Sequence, residues 1–227
     1  MHAVILIAAT FTATPHVAVC DSSEGAATIL QSHAQPGTLL FSQGDCLAVR
    51  VFTKSPYTHV AAVVKEDGRF FVYDSMNGTG VRKLSLSEYC RSECPNTLHV
   101  YHPKREFTQR KLKAFVEHLD SEIGREYGVK HHLTGKRAKG IHCAEYVTDA
   151  LCACRMVSAK RPPKVSPDSL RAGIESADIY EPALKIHVHI PLAEAPDESS
   201  CCQRFWFNTK QRTQVVCDKL IGWCLCK

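Results

Sequence analysis

A single cysteine heads the most helix-like stretch of the chain, Lys139 to Cys154, KGIHCAEYVTDALCAC. Counted from Cys143, apolar side chains return at Val147, Ala150, Leu151 and Cys154, the spacing of one helical face. Cys143 therefore stands at a helix N-terminus. Unpaired amides and the partial positive charge there favour a thiolate, and the same amides can donate to an oxyanion. The chemistry this offers is nucleophilic attack on a carbonyl. A buried cysteine is also an ordinary core residue, so the reading depends on what else the chain supplies.

It supplies a base and an acid. His59 opens the run HVAAVV, whose small and β-branched residues read as a buried strand. Glu66-Asp67-Gly68-Arg69 is a hairpin signal, and Phe70 to Asp74 is the returning strand. A turn centred there brings His59 and Asp74 near-opposite at the open end of an antiparallel pair. An imidazole within reach of a thiol takes its proton, and a carboxylate holds the other ring nitrogen.

Other elements can be placed around these. Gln35-Pro36-Gly37 is a turn before a buried strand at Thr38 to Phe41, and Cys46 to Thr53 reads as a short helix with Asp45 near its start. Val81 to Leu84 is a short strand, Leu86 to Arg91 a helical turn, and Leu98 to Tyr101 a strand. Thr108 caps a helix with Leu112, Phe115, Val116, Leu119 and Ile123 in phase and Gly124 at its end. A basic loop, Tyr127 to Gly140, leads to Cys143. Ser166 or Asp168 can cap a later helix, and Ile179-Tyr180 and Lys185 to Ile190 complete the sheet. Three regions follow: an N-terminal leader at 1–35, a catalytic domain at 36–190, and a linker with a cysteine-rich, basic and aromatic tail at 191–227.

The 227 residues, 44% hydrophobic and 22% charged, suit a globular protein. A net charge of +5 without aromatic-interleaved basic motifs argues against nucleic acid as a partner. Twelve cysteines are spread through body and tail, in a chain with core enough not to need disulfides. Met1 to Cys20 is apolar but lacks a basic start and a clear cleavage site, so the cytoplasm is favoured over export. No stretch has the length of a transmembrane helix.

Ser55-Pro56-Tyr57-Thr58-His59-Val60-Ala61, then Asp74, then His142-Cys143-Ala144-Glu145-Tyr146-Val147 resembles the permuted papain-like cysteine hydrolases, and more narrowly the YiiX-like branch of the NlpC superfamily. In that branch the histidine strand precedes the cysteine helix. The resemblance spans about residues 36–182, and departs from the common pattern at Thr38, where an aspartate is usual, and at Asp74, where a glutamate is. It implies an α+β papain-like fold, an antiparallel sheet or small barrel packed against helices, with the nucleophile at a helix N-terminus. It also implies cleavage of an amide or ester through a thioester, without a cofactor, on a peptide or acyl-bearing substrate. By position, Cys143 is the nucleophile, His59 the base and Asp74 the orienting acid. Tyr57, Tyr127 and His142 are candidates to line the site or its oxyanion hole.

Three other readings compete. Lecithin-retinol acyltransferase-like enzymes share the permuted order but usually carry a second histidine in place of the acid. A metal-binding module would draw on His131-His132 or His187-x-His189, which lack partners at ligand spacing, so no metal is expected. The third is a non-catalytic module that keeps the fold. In the tail, Phe205, Trp206 and Phe207 among basic residues permit weak contact with a membrane, although a loosely packed tail is the expectation. Nothing in the sequence sets an oligomeric state.

Overall fold

The computed structural model describes residues 15–225 apart from 45–49, 52, 94, 95, 130, 131, 133, 190 and 192. The expected cap at Asp45, most of the helix at Cys46 to Thr53, the apolar start of the leader, Cys94, His131 and Ile190 lie outside the described residues. In chain order the elements are β1 (His16–Cys20), α1 (Ser23–His33), β2 (Leu39–Gln43), β3 (Tyr57–Glu66), β4 (Arg69–Met76), β5 (Gly80–Ser85) and α2 (Leu86–Glu93). They continue with β6 (Thr97–Pro103), α3 (Gln109–Ser121), α4 (Cys143–Ala153), a 3-10 turn (Pro162–Lys164), α5 (Pro167–Ser176), β7 (Tyr180–Val188) and α6 (Cys201–Leu225). The fold is mixed α+β.

The strands form one open seven-stranded sheet in the order β1-β7-β6-β2-β3-β4-β5, antiparallel except for β1 against β7. It is covered on both faces, and that explains the unbroken apolar run of β3. Val60, Ala62 and Val64 enter one core with Phe115 and Leu119 of α3, α4, and Leu170 and Ile174 of α5. Ala61 and Val63 enter the other, with Ala26, Ala27 and Leu30 of α1 and Leu86, Tyr89 and Cys90 of α2. Residues 16–33, read as a leader, thus contribute a strand and a helix to the same sheet and core. The two short strands expected near 179 and 185 are one strand that runs through Pro182.

Local signals explain the helix starts. Thr108 Oγ1 accepts from Lys111 N–H, and Ser166 forms a capping box with Ser169, with Pro167 at the first helical position. Ile123, expected on the buried face of α3, is 47% exposed, because the helix has ended by Glu122.

The segment before α4 is held by backbone as well as side chains. Val81 N–H donates to Arg125 O at 2.8 Å and Gly124 N–H to Val81 O at 2.9 Å. The Arg125 guanidinium then donates to the carbonyls of Ala138, Lys139 and Gly140. Gly80 makes this approach feasible: its φ is +74°, and a Cβ there would stand 2.4 Å from Arg125 O. Substituting Gly80→Ala should therefore cost about 2 kcal/mol or more of stability, from the left-handed backbone and the clash together. Urea unfolding followed by circular dichroism would measure it; a loss under ~0.5 kcal/mol would show that the Arg125 segment gives way freely.

Candidate active site

Cys143 is the first residue of α4. Its approach is stitched down on two sides: Ile141 N–H donates to Glu126 O at 2.8 Å and Gly128 N–H to Ile141 O at 3.4 Å, a short parallel bridge to the Tyr127 segment. From β4, Ser75 Oγ donates to Ile141 O at 2.7 Å. Gly140 has to be glycine for this pairing, since a Cβ would fall 2.9 Å from the Tyr127 and Gly128 backbone. His142 then caps the helix, its Nδ1 accepting from Glu145 N–H at 3.3 Å and its Nε2 donating to Pro163 O at 3.0 Å. Those two bonds set the proton on Nε2.

On the sheet, His59 Nε2 meets Asp74 Oδ2 at 3.2 Å. The ladder pairs Ala62 with Tyr73, so Asp74 lies diagonally along β4 from His59 rather than straight across. The two side chains share a face, and the diagonal is within reach of an imidazole. With Nε2 held by the acid, Nδ1 is the nitrogen left to face Cys143. The His59 ring stacks on Tyr89 of α2, centroids 6.5 Å apart and planes at 27°.

Asp74 has no solvent exposure, and a charge so placed needs partners. Arg82, its cross-strand neighbour on β5, provides them, with Nε at 2.8 Å from Oδ1 and Nη2 at 3.0 Å from Oδ2. The same Nη2 reaches Glu93 Oε1 at the end of α2, at 2.6 Å. Burial and the neighbouring Asp74 charge push the Glu93 carboxyl up, against the pull of His59 and Arg82. His59, Asp74 and Glu93 each offer a ligand atom within 4.8 Å of the others. Arg82 already donates to both carboxylates, however, so a metal ion would have to displace its guanidinium.

Burial alone would push the Cys143 thiol up, yet the His59 charge, with the His142 ring beside the sulfur, prevails and brings it down to about 6. His59 shows the reciprocal effect. Burial disfavours its cation, but the Cys143 thiolate and Asp74 carry its pKa well above the ordinary value. Asp74 is held below the usual carboxylate range, because His59 and Arg82 outweigh its burial. The consistent state is a thiolate–imidazolium pair beside an ionised acid.

Of the residues singled out from sequence, Cys143, His59, Asp74 and His142 come together here. Tyr127 stands by the site, its hydroxyl pushed up by burial and by the Cys143 charge. Tyr57 does not join them. The β2–β3 register shifts between Ser42 and Gln43, so β3 carries an extra residue at Thr58 and Tyr57 turns to the opposite face from His59. There it packs edge-on against Phe41 and His99 and under the Arg171 guanidinium. In the basic loop, Arg137 forms a two-pronged ion pair with Asp149 of α4. Arg82 could have been found from sequence, since a turn at Asn77-Gly78-Thr79 registers it opposite Asp74. Glu93, Tyr89 and Ser75 carried no such signal.

Residues 33–173, which include His59, Asp74 and Cys143, match the family model described as permuted papain-like amidase enzyme, YaeF/YiiX, C92 family. No curated protein sequence matches the chain. A crystal structure described as metalloprotein yiiX from Escherichia coli O157:H7 is similar at 14% identity and a TM-score of 0.46, over 54% of this chain and 67% of that one.

Two outcomes test the electrostatics. A thiol lowered to about 6 is ionised above that pH and protonated below it, so iodoacetamide should label Cys143 with a midpoint near pH 6. In His59→Ala the midpoint should rise by at least ~1 pH unit toward the free-thiol value; mass spectrometry of the Cys143 peptide reads both. Removing the guanidinium in Arg82→Ala should cost about 3 kcal/mol near neutral pH, because two buried carboxylates lose their partner. Asp74 is depressed on folding, so its contribution is present above the unfolded value of ~3.9 and fades as pH falls through its folded value. Unfolding curves across the acid range should show that dependence shrinking in the variant.

Proposed function

The chain belongs to the family of permuted papain-like amidases, and on that premise we propose that it cleaves an amide bond, peptide or isopeptide, through Cys143 and His59. The observation that carries this reading is the junction of a depressed thiol with an imidazole whose far nitrogen is held 3.2 Å from a buried carboxylate. Two independent elements, a helix start and a strand pair, meet at that point.

The steps follow from the arrangement. The Cys143 thiolate attacks the carbonyl carbon, a C–S bond forms, and the π electrons move to oxygen. First-turn amides of α4, that of Cys143 above all, face the developing oxyanion, having no acceptor within the helix. The intermediate collapses, the C–N bond breaks, and the His59 imidazolium gives its Nδ1 proton to the departing amine. A thioester remains. His59, now neutral, takes a proton from water as the hydroxide attacks, the C–S bond breaks, and acid and thiolate are released as the imidazolium re-forms. Asp74 holds the ring orientation throughout and stabilises the cation.

A carboxylate at position 74 favours hydrolysis over the acyl-transfer reading, whose enzymes usually place a histidine there. On an amide substrate cleaved by the wild-type chain, Cys143→Ala should lower kcat by roughly 10³-fold or more, and Asp74→Ala by roughly 10²-fold. Asp74→Asn keeps a hydrogen-bond acceptor for His59 and should lose less than Asp74→Ala. Equal losses in the two Asp74 variants, or turnover that survives Cys143→Ala, would remove the basis for these roles.

A further inference from the structure

The tail expected to be loosely packed is instead a long helix, α6, Cys201–Leu225. Between Asp197 and Ile221 no proline or glycine interrupts it, and Arg, Gln and Lys recur through it. One side of α6 faces the linker that precedes it. Arg204 donates to Ser199 O at 3.1 Å and to Asp197 O at 2.6 Å, and Asn208, Gln211 and, at its edge, Arg212 line the same hollow beside Ala193, Glu194 and Asp197.

The opposite side is bare. Cys202, Phe205, Trp206, Val216, Cys217 and Leu220 fall within an arc of roughly 120°, at about 100° per residue. All are exposed, Phe205 at 66%, Trp206 at 70%, Val216 at 55% and Leu220 at 47%. Lys210 and Arg212 stand at the two borders of the arc. Across Cys201–Leu225 one acid, Asp218, stands against Arg204, Lys210, Arg212 and Lys219.

We infer that α6 is a surface-binding helix for anionic phospholipid, lying in the plane of the headgroups with Phe205, Trp206, Val216 and Leu220 turned to the acyl chains. Charge complementarity identifies the occupant: two flanking cations, no acid within the arc and a net positive helix match a negative interface, where the cations' stems lie along the apolar layer and their heads reach phosphate. Tryptophan suits that depth, with an apolar ring and an N–H for the headgroups. Among the described residues no helix is long and apolar enough to cross a membrane, so α6 lies along the surface rather than through it. A second copy fits less well. A coiled-coil seam through Cys202, Trp206, Val216 and Leu220 would bury Thr209 and Thr213 at its centre, whereas a wetted interface accommodates both. This inference does not depend on the reaction at Cys143.

The test is flotation of the full chain, under reductant, with phosphatidylcholine vesicles with and without about 30% phosphatidylglycerol. Binding at low salt should be at least ~10-fold stronger with the anionic lipid and fall steeply as salt rises. Phe205→Ser with Trp206→Ser should abolish it, and Lys210→Glu with Arg212→Glu should reverse the lipid preference. In Trp223→Phe, emission from Trp206 should shift to the blue on adding anionic vesicles. Each variant should keep wild-type hydrolysis of a soluble amide and wild-type unfolding of the sheet domain, which separates loss of binding from misfolding. Absence of flotation in the wild type would overturn the inference. So would binding that survives Phe205→Ser with Trp206→Ser, or a dimer in solution that Trp206→Ser dissociates.

Discussion

Burying Asp74 without solvent exposure is the constraint from which most of the site follows. An isolated carboxylate in that position would be protonated, and a protonated acid could not stabilise an imidazolium. It stays charged because two cations meet it: His59 on one side and Arg82 with a two-pronged contact on the other. Arg82 in turn draws Glu93 from α2 to the same place. A hairpin residue, a strand residue and a helix terminus are thereby bound into one charge cluster whose members cannot be exchanged singly.

Strand β4 does two tasks with adjacent residues. Its alternation sends Asp74 toward His59 and Arg82, and Ser75 the other way, onto the Ile141 carbonyl just ahead of Cys143. Two parts of the site that arrive about 80 residues apart in sequence are thus set against the same rigid strand. The chain from Val81 through Arg125 to Gly140 adds a second tether. Sites carried on such elements hold their geometry better than sites on loops.

Thiol and imidazole then tune each other. Burial alone would raise the Cys143 pKa. The lowering comes from His59 and His142, and the raised His59 pKa is the same interaction seen from the ring. His142 has a structural share too, capping α4 and fastening it to Pro163.

What could be read from the residues was local. The helix start at Cys143, the caps at Thr108 and Ser166, the Asp67-Gly68 hairpin and the doubly buried β3 each follow from short-range preferences that tertiary context did not override. The hairpin brought His59 and Asp74 together because register across a two-residue turn is a near-neighbour property. Even there the pair proved diagonal, since a shift of one or two places is decided by packing on both faces. What only the tertiary structure decided were contacts between elements distant in sequence: Glu93 and Tyr89 from α2, Ser75 on Ile141, and the strand and helix of residues 16–33. The bulge at Thr58 belongs with these. It arises from fitting β3 to β2, and it turns Tyr57 away from His59, which no periodicity along β3 foretells. Residue type and spacing determined which groups could react; long-range packing determined which of them meet.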